Sequence, residues 1–242
     1  MQKLLPAFAL LLCANSYAAP PAKYLAGVRD ATQAEATETV TNLDILDASN
    51  ASLVWNDDKS QLKVVTWKSQ SSYDKFLKPY TQSSDSEANV VWVSLAPKVQ
   101  AFCQQYRQTH KKATKADVDM RLKQYLGLNS EWNYDVFVEL WVSPSDVFRP
   151  CVDPAPNDNG CELNFGSTVP TVKNIKDYKA FYQNLFYKSF REAPGVPWTG
   201  LGYTYDWKDT KHEQGASEFI LSPSTPYKIE RVVPTLEYCT AQ

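Results

Sequence analysis

Acid–base chemistry needs side chains that change protonation near neutrality, and this sequence holds few of them in any ordered pattern. It contains two histidines, the commonest general bases. His110 stands among Arg107, Lys111 and Lys112 at what reads as a helix end. His212 sits in the polar run Asp209-Thr210-Lys211-His212-Glu213. Both read as surface residues. No Gly-x-Ser-x-Gly elbow, His-Glu-x-x-His helix or glycine-rich phosphate loop occurs. The serine-hydrolase, zinc-protease and nucleotide-binding mechanisms therefore lack their residues. One acid–base arrangement remains open. Asp206 with Glu213 or Glu218 supplies a carboxylate pair for glycoside hydrolysis, provided the two stand about 5–10 Å apart across a cleft.

The densest recognition chemistry lies just upstream. Residues 194–207 hold three of the chain's eight glycines together with Trp198, Tyr203, Tyr205 and Trp207. Glycine lets a backbone pass close to a ligand, and these rings offer flat apolar faces with polar edges. The combination suits a groove that stacks on a sugar or a peptide. The same rings also suit a strand entering a core, in a chain that is 13% aromatic. Arg149 carries a planar fork that grips a carboxylate or phosphate when held rigid, or pairs with a local acid such as Asp146. Residues 152–160 are rich in oxygen ligands. An EF-hand, however, needs an acid five residues before its glycine and a Glu six after it, and Ala155 and Gly166 occupy those positions. The segment reads as a turn, with no metal and no cofactor implied.

Five cysteines are present, and Cys13 falls inside an N-terminal leader. The other four allow three pairings. Cys151 and Cys161 flank a turn-forming stretch without apolar periodicity, which needs an external constraint to be ordered. That favours Cys151–Cys161 and leaves Cys103–Cys239. A four-cysteine zinc site shows close CxxC pairs, and none exists here. Bridges of this kind belong to oxidising compartments. The leader agrees. Lys3, a short apolar run from Leu4 to Cys13, and Ser16-Tyr17-Ala18 form a secretory signal over residues 1–18. No later run reaches membrane-spanning length, which takes about 20 apolar residues. The formal net charge of −2 becomes −3 once Lys3 leaves with the signal. Lys111, Lys112 and Lys115 are the densest positive patch, too small a footprint for nucleic acid, whose affinity rests on many phosphate contacts.

The elements that must position these residues read as follows. Residues 19–50 form an N-terminal arm with one strand near residues 43–46. Residues 51–242 form a single domain. A β-hairpin spans residues 52–67, and a short helix lies within 73–80. A buried strand covers 90–95, where Val90-Val91-Trp92-Val93-Ser94-Leu95 is continuously apolar but for Ser94. Pro97 opens a helix carrying Val99, Phe102, Cys103 and Tyr106 on one face. Thr114 and Asp117 make a capping box for a second helix, closed by Gly127. Residues 134–142 form another strand, and residues 175–189 a third, aromatic helix stopped by Pro194-Gly195. Strands return at 202–207, 218–221 and 227–233. The fold class is α+β: a largely antiparallel sheet with about three helices packed on it, and two disulfides.

Three runs carry a resemblance. They are Val91-Trp92-Val93-Ser94-Leu95-Ala96-Pro97; Phe137 to Pro144 with Phe148-Arg149-Pro150-Cys151; and Trp198 to Trp207. Together they resemble a group of uncharacterised exported proteins of Gram-negative bacteria, over residues 90–239. The resemblance implies a periplasmic or secreted location and no activity. The sequence is therefore expected to encode a non-catalytic binding or accessory protein of the cell envelope. Its ligand or partner, a glycan, protein or other envelope component, would meet Trp198, Tyr203, Tyr205, Trp207 and Arg149. The alternative is a secreted glycan-acting hydrolase using Asp206 with Glu213 or Glu218.

Overall fold

The computed structural model of the chain describes residues 19–240, so the leader expected over residues 1–18 lies outside the described residues. In chain order the elements are α1 (Ala22–Asp30), β1 (Leu62–Lys68), α2 (Gln70–Phe76), β2 (Val91–Leu95), α3 (Ala96–Thr109) and α4 (Lys115–Tyr125). There follow β3 (Val136–Val142), β4 (Val147–Phe148), α5 (Tyr178–Arg191), β5 (Tyr203–Tyr205), β6 (Gln214–Ser217), β7 (Phe219–Leu221), β8 (Lys228–Pro234) and α6 (Thr235–Tyr238).

Six strands form one sheet in the order β4-β7-β2-β1-β3-β8, with every neighbour antiparallel. β5 and β6 make a separate two-stranded ribbon. Alternation along the strands sorts the core onto two faces. Val64, Val93, Leu95, Val138, Leu140 and Phe219 face one way and are covered by Leu46, Leu53, Leu77 and Tyr227. Val65, Trp67 and Phe137 face the other way, under Val99 and Cys103 of α3, Val118 and Leu122 of α4, and Tyr238 of α6. Farther along the same face, Phe148 and Ile220 lie under Tyr178, Phe181 and Leu185 of α5. The second face thus carries two separate helical covers.

Both disulfides form as the spacing predicts. Cys103–Cys239 ties α3 to the C-terminal end, and Cys151–Cys161 closes the turn-rich loop. The Thr114–Asp117 capping box is present, with Asp117 Oδ2 accepting the Thr114 N–H at 2.8 Å. The helix count is corrected. Six α-helices occur among the described residues rather than about three, five of them seven residues or longer. α1 escaped the sequence reading because it has few large apolar residues. It is built nonetheless, with Tyr24 and Val28 packed against Tyr205 and Trp207. The N-terminal arm is therefore part of the core.

The strand expected near residues 43–46 is not formed. Leu43 and Leu46 send their N–H groups to the carbonyls of Asn159 and Pro156 instead, one bond each to the disulfide loop. The first strand of the hairpin expected over 52–67 shrinks to a single bridge, from Trp55 to Leu62 at the start of β1. β6 lies between the strands expected at 202–207 and 218–221, where the sequence marks no strand. Gln214-Gly215-Ala216-Ser217 has little strand propensity, and it is held in place by pairing with β5 and by Thr204 Oγ1, which accepts the Ala216 N–H at 2.8 Å.

Candidate functional site

Pairing between β1 and β2 is confined to Val64–Leu95 and Val65–Ser94. Beyond those two pairs the strands part. β1 continues against β3 to Lys68, and β2 continues against β7 to Val91. The facing edges of residues 66–68 and 91–93 are left unpaired with each other, at the place where the two helical covers also meet. Antiparallel neighbours normally satisfy each other's backbone groups at every second pair. A split in the sheet therefore opens polar backbone as well as space.

A cavity of about 400 Å³ occupies this split, within the range of small-molecule sites. Six aromatic residues stand in its walls: Trp67, Trp92, Trp132, Tyr134, Phe137 and Trp198. Trp67 is fixed by stacking on Tyr134, with centroids 4.5 Å apart, and by donating its indole N–H to Thr235 Oγ1 at 2.9 Å. Trp132 is 46% exposed and forms the rim with Ala88 and Lys188, both exposed. Gly127 lines the wall in a left-handed conformation (φ 63°), and a Cβ there would stand 3.1 Å from the Tyr205 backbone nitrogen. Only glycine combines that φ with that approach at low cost.

Glu218 and Lys68 line the same cavity, inside the rim that Lys188 helps to form. Glu218 occupies the joint between β6 and β7, its N–H donating to the Gly202 carbonyl at 3.0 Å. It is 7% exposed, and its Oε1 has no hydrogen-bond partner. Burial pushes its carboxyl well above the usual range. The Trp198 indole N–H approaches the carboxyl as a hydrogen-bond donor would and opposes that shift, though the pair falls short of full hydrogen-bond geometry. Trp198 Nε1, on a residue 5% exposed, is likewise unpartnered. Lys68 ends β1 where the strands part. The residue keeps some exposure, and desolvation holds its pKa below that of an ordinary lysine. Among the described residues Glu218 and Lys68 are not paired with each other or with any other charged group. Each is thereby biased toward its neutral form.

The other residues singled out in the sequence go elsewhere. Tyr203, Tyr205 and Trp207 do not form a stacking surface: each is about 1% exposed. Tyr203 donates its hydroxyl to the Glu38 carbonyl at 2.9 Å, Tyr205 to Asp30 Oδ2 at 2.6 Å, and Trp207 its indole N–H to the Leu128 carbonyl at 3.1 Å. They pin the N-terminal arm and the α4–β3 connection to the ribbon. Of the four aromatic candidates only Trp198 reaches the cavity. Arg149 is fully buried and fills the disulfide loop. It donates to Asp158 Oδ1 and the Gly160 carbonyl, both at 2.7 Å, and to the Asp158 carbonyl at 2.8 Å. It is a structural clamp rather than an anion receptor. Gly202 (φ 79°) makes room for it, since a Cβ there would lie 2.3 Å from Arg149 Cδ.

The carboxylate pair is not assembled at the cavity. Asp206 is taken by Arg121 in a two-pronged ion pair at 3.0 and 2.6 Å, and neither Asp206 nor Glu213 lines the wall. His110 and His212 are exposed, the first stacked on Tyr106 and the second bonded to Asp209. Cys151, Asp153 and Cys161 cluster tightly, but both sulfurs are bonded to each other and Asp153 accepts the Glu162 N–H at 3.2 Å. That cluster is no cation site.

Sequence reasoning reached Glu218 and Trp198 but missed Lys68, Trp67, Trp92 and Tyr134. A lysine closing an apolar strand was visible, and the parting of β1 from β2 was not. Compared with family models, with curated proteins and with solved structures, the chain matches none.

Proposed function

We propose that the chain is an exported, non-catalytic binding protein of the cell envelope, and that it holds a small ligand with an apolar body in the split between β1 and β2. One observation carries the reading: Glu218 Oε1 and Trp198 Nε1 are buried side by side in the wall of one cavity, and neither completes a hydrogen bond. An unsatisfied buried polar group costs about 1–3 kcal/mol. A ligand carrying hydrogen-bonding atoms removes that cost, and the indole walls supply its apolar contacts.

Two disulfides, the N-terminal signal pattern and the resemblance to exported Gram-negative proteins support the location. Among the described residues no helix is long and apolar enough to cross a membrane. The hydrolase alternative asks for a second carboxylate across the cleft, and Glu218 is the only one on the wall among the described residues. Binding is the better reading.

Indole is a suitable neutral probe, because it matches the walls whatever the charge of the natural ligand. Saturating indole should raise Tm and displace the tryptophan emission of the wild type. A ligand at a hundred times its Kd adds about 2.7 kcal/mol. Ser94 is buried in the cavity wall, and Ser94→Trp would fill the space. That variant should fold, as judged by circular dichroism and intact disulfides, and ignore indole. A wild type indifferent to indole, or a folded variant that responds equally, would refute the proposal.

A further inference from the structure

We infer that the ligand is a primary amine on a flat aromatic body, its protonated nitrogen hydrogen-bonded to Glu218 among the tryptophans of the wall. The inference deepens the binding reading above and rests on it. Register aims the acid. Ile220 pairs with Trp92 and packs under α5, while Phe219 turns to the opposite face of the sheet. Glu218 stands two residues before Ile220, so it leaves the chain on the side of Trp92, which is the cavity side. There its Oε1 is buried and accepts no hydrogen bond.

No basic side chain of the wall supplies the missing partner. Lys188 is exposed at the rim and donates to the Ala88 carbonyl at 3.2 Å. Lys68 pairs with Val136, so its side chain leaves on the sheet face opposite Trp67 and Phe137. The nearest arginine by element, Arg121 of α4, is held by Asp206. Only the Trp198 indole N–H approaches the carboxyl, and it does not complete a hydrogen bond. Among the described residues the acid therefore faces an aromatic cavity with no cation of its own.

An amine suits this acid in either protonation state. An ionised carboxylate takes an ammonium directly through a charge-assisted hydrogen bond. A protonated carboxyl passes its proton to a neutral amine and arrives at the same pair. An anion would be repelled by the ionised acid, and an alcohol would form only a neutral hydrogen bond, which is weaker. The rings add to the preference. Indole attracts a cation better than the other aromatic side chains do, and Trp67, Trp92 and Trp198 all stand in this wall. A flat aromatic body packs against the same rings.

The probes share one phenethyl body: phenethylamine, neutral 2-phenylethanol, the anion 3-phenylpropionate, and the quaternary cation N,N,N-trimethylphenethylammonium, which has no N–H to donate. Isothermal titration of the full mature chain at neutral pH should rank phenethylamine first, about tenfold or more tighter than each of the others. Glu218→Gln keeps the shape of the side chain; it should erase that margin and leave 2-phenylethanol unchanged. A quaternary cation that binds as tightly as phenethylamine would place the charge on the rings alone and overturn the contact with Glu218. A Glu218→Gln protein that keeps the full preference would overturn it too. If indole binds and phenethylamine is no tighter than 2-phenylethanol, the amine inference falls while the binding site stands. If neither indole nor any of these probes binds, both fall.

Discussion

Replacing Glu218 with Gln should make this protein more stable, by an amount that grows with pH. The carboxyl is 7% exposed, has an unpartnered oxygen, and is held by burial well above its ordinary value of 4.5. Above pH 4.5 the unfolded chain sheds this proton and the folded chain keeps it. The folded state then binds more protons than the unfolded one, and stability falls as pH rises. The loss is about 1.4 kcal/mol per pH unit from 4.5 up to the folded-state pKa. Below pH 4.5 both states are protonated and the penalty vanishes. Glutamine keeps the shape and cannot ionise, so the variant loses the slope. Urea unfolding at half-unit steps from pH 4 to pH 8 measures the difference as a shift in midpoint at constant m. The two proteins should coincide near pH 4 and separate steadily above pH 5, with the variant the more stable. Parallel profiles, or a variant less stable at neutral pH, would show that Glu218 is charged and paired in the folded protein and would refute the reasoning.

Lys68→Met tests the opposite sign. The folded amine titrates below 10.5, so stability is lost as pH falls from 10.5 toward the folded value, and the methionine variant should lack that loss in unfolding curves from pH 7 to 10. The two disulfides should differ in worth. Opening Cys103–Cys239 with serines frees a 136-residue separation and should cost about 5 kcal/mol, against about 2.7 kcal/mol for the 10-residue separation of Cys151–Cys161, in chemical denaturation. Trp207→Ala empties a site that is 1% exposed and should cost about 3–5 kcal/mol, seen as a drop in Tm of many degrees. Had this ring formed a binding surface, Tm would barely move.

Local chemistry made much of the fold readable. Thr114 with Asp117, Pro97 opening α3, and the apolar run of β2 each act through neighbours a few residues away, and each appears where expected. The disulfides were legible because residues 152–160 have no means of ordering themselves. What stayed hidden depends on partners distant in sequence. Tyr205 and Trp207 looked like a binding surface because nothing marks Tyr24 and Val28, nearly 180 positions earlier, as their cover. Arg149 looked available because its acceptors come from the folded loop 155–160. The site followed the same rule. Glu218 was noticed as one of three acidic residues, yet its burial follows from a chain that leaves the β5–β6 ribbon and enters the sheet within one residue. The cavity itself arises from β1 and β2 choosing different neighbours after two pairs, a property of register that no local pattern encodes.

The claim that this split is a ligand site is tested most directly by an amide-resolved NMR titration of the mature chain with indole. The account predicts saturable shifts confined to the Trp198 indole N–H and the backbone amides of residues 66–68 and 91–93. Shifts centred instead on the exposed Phe76 and Tyr80, or none at all, would contradict it.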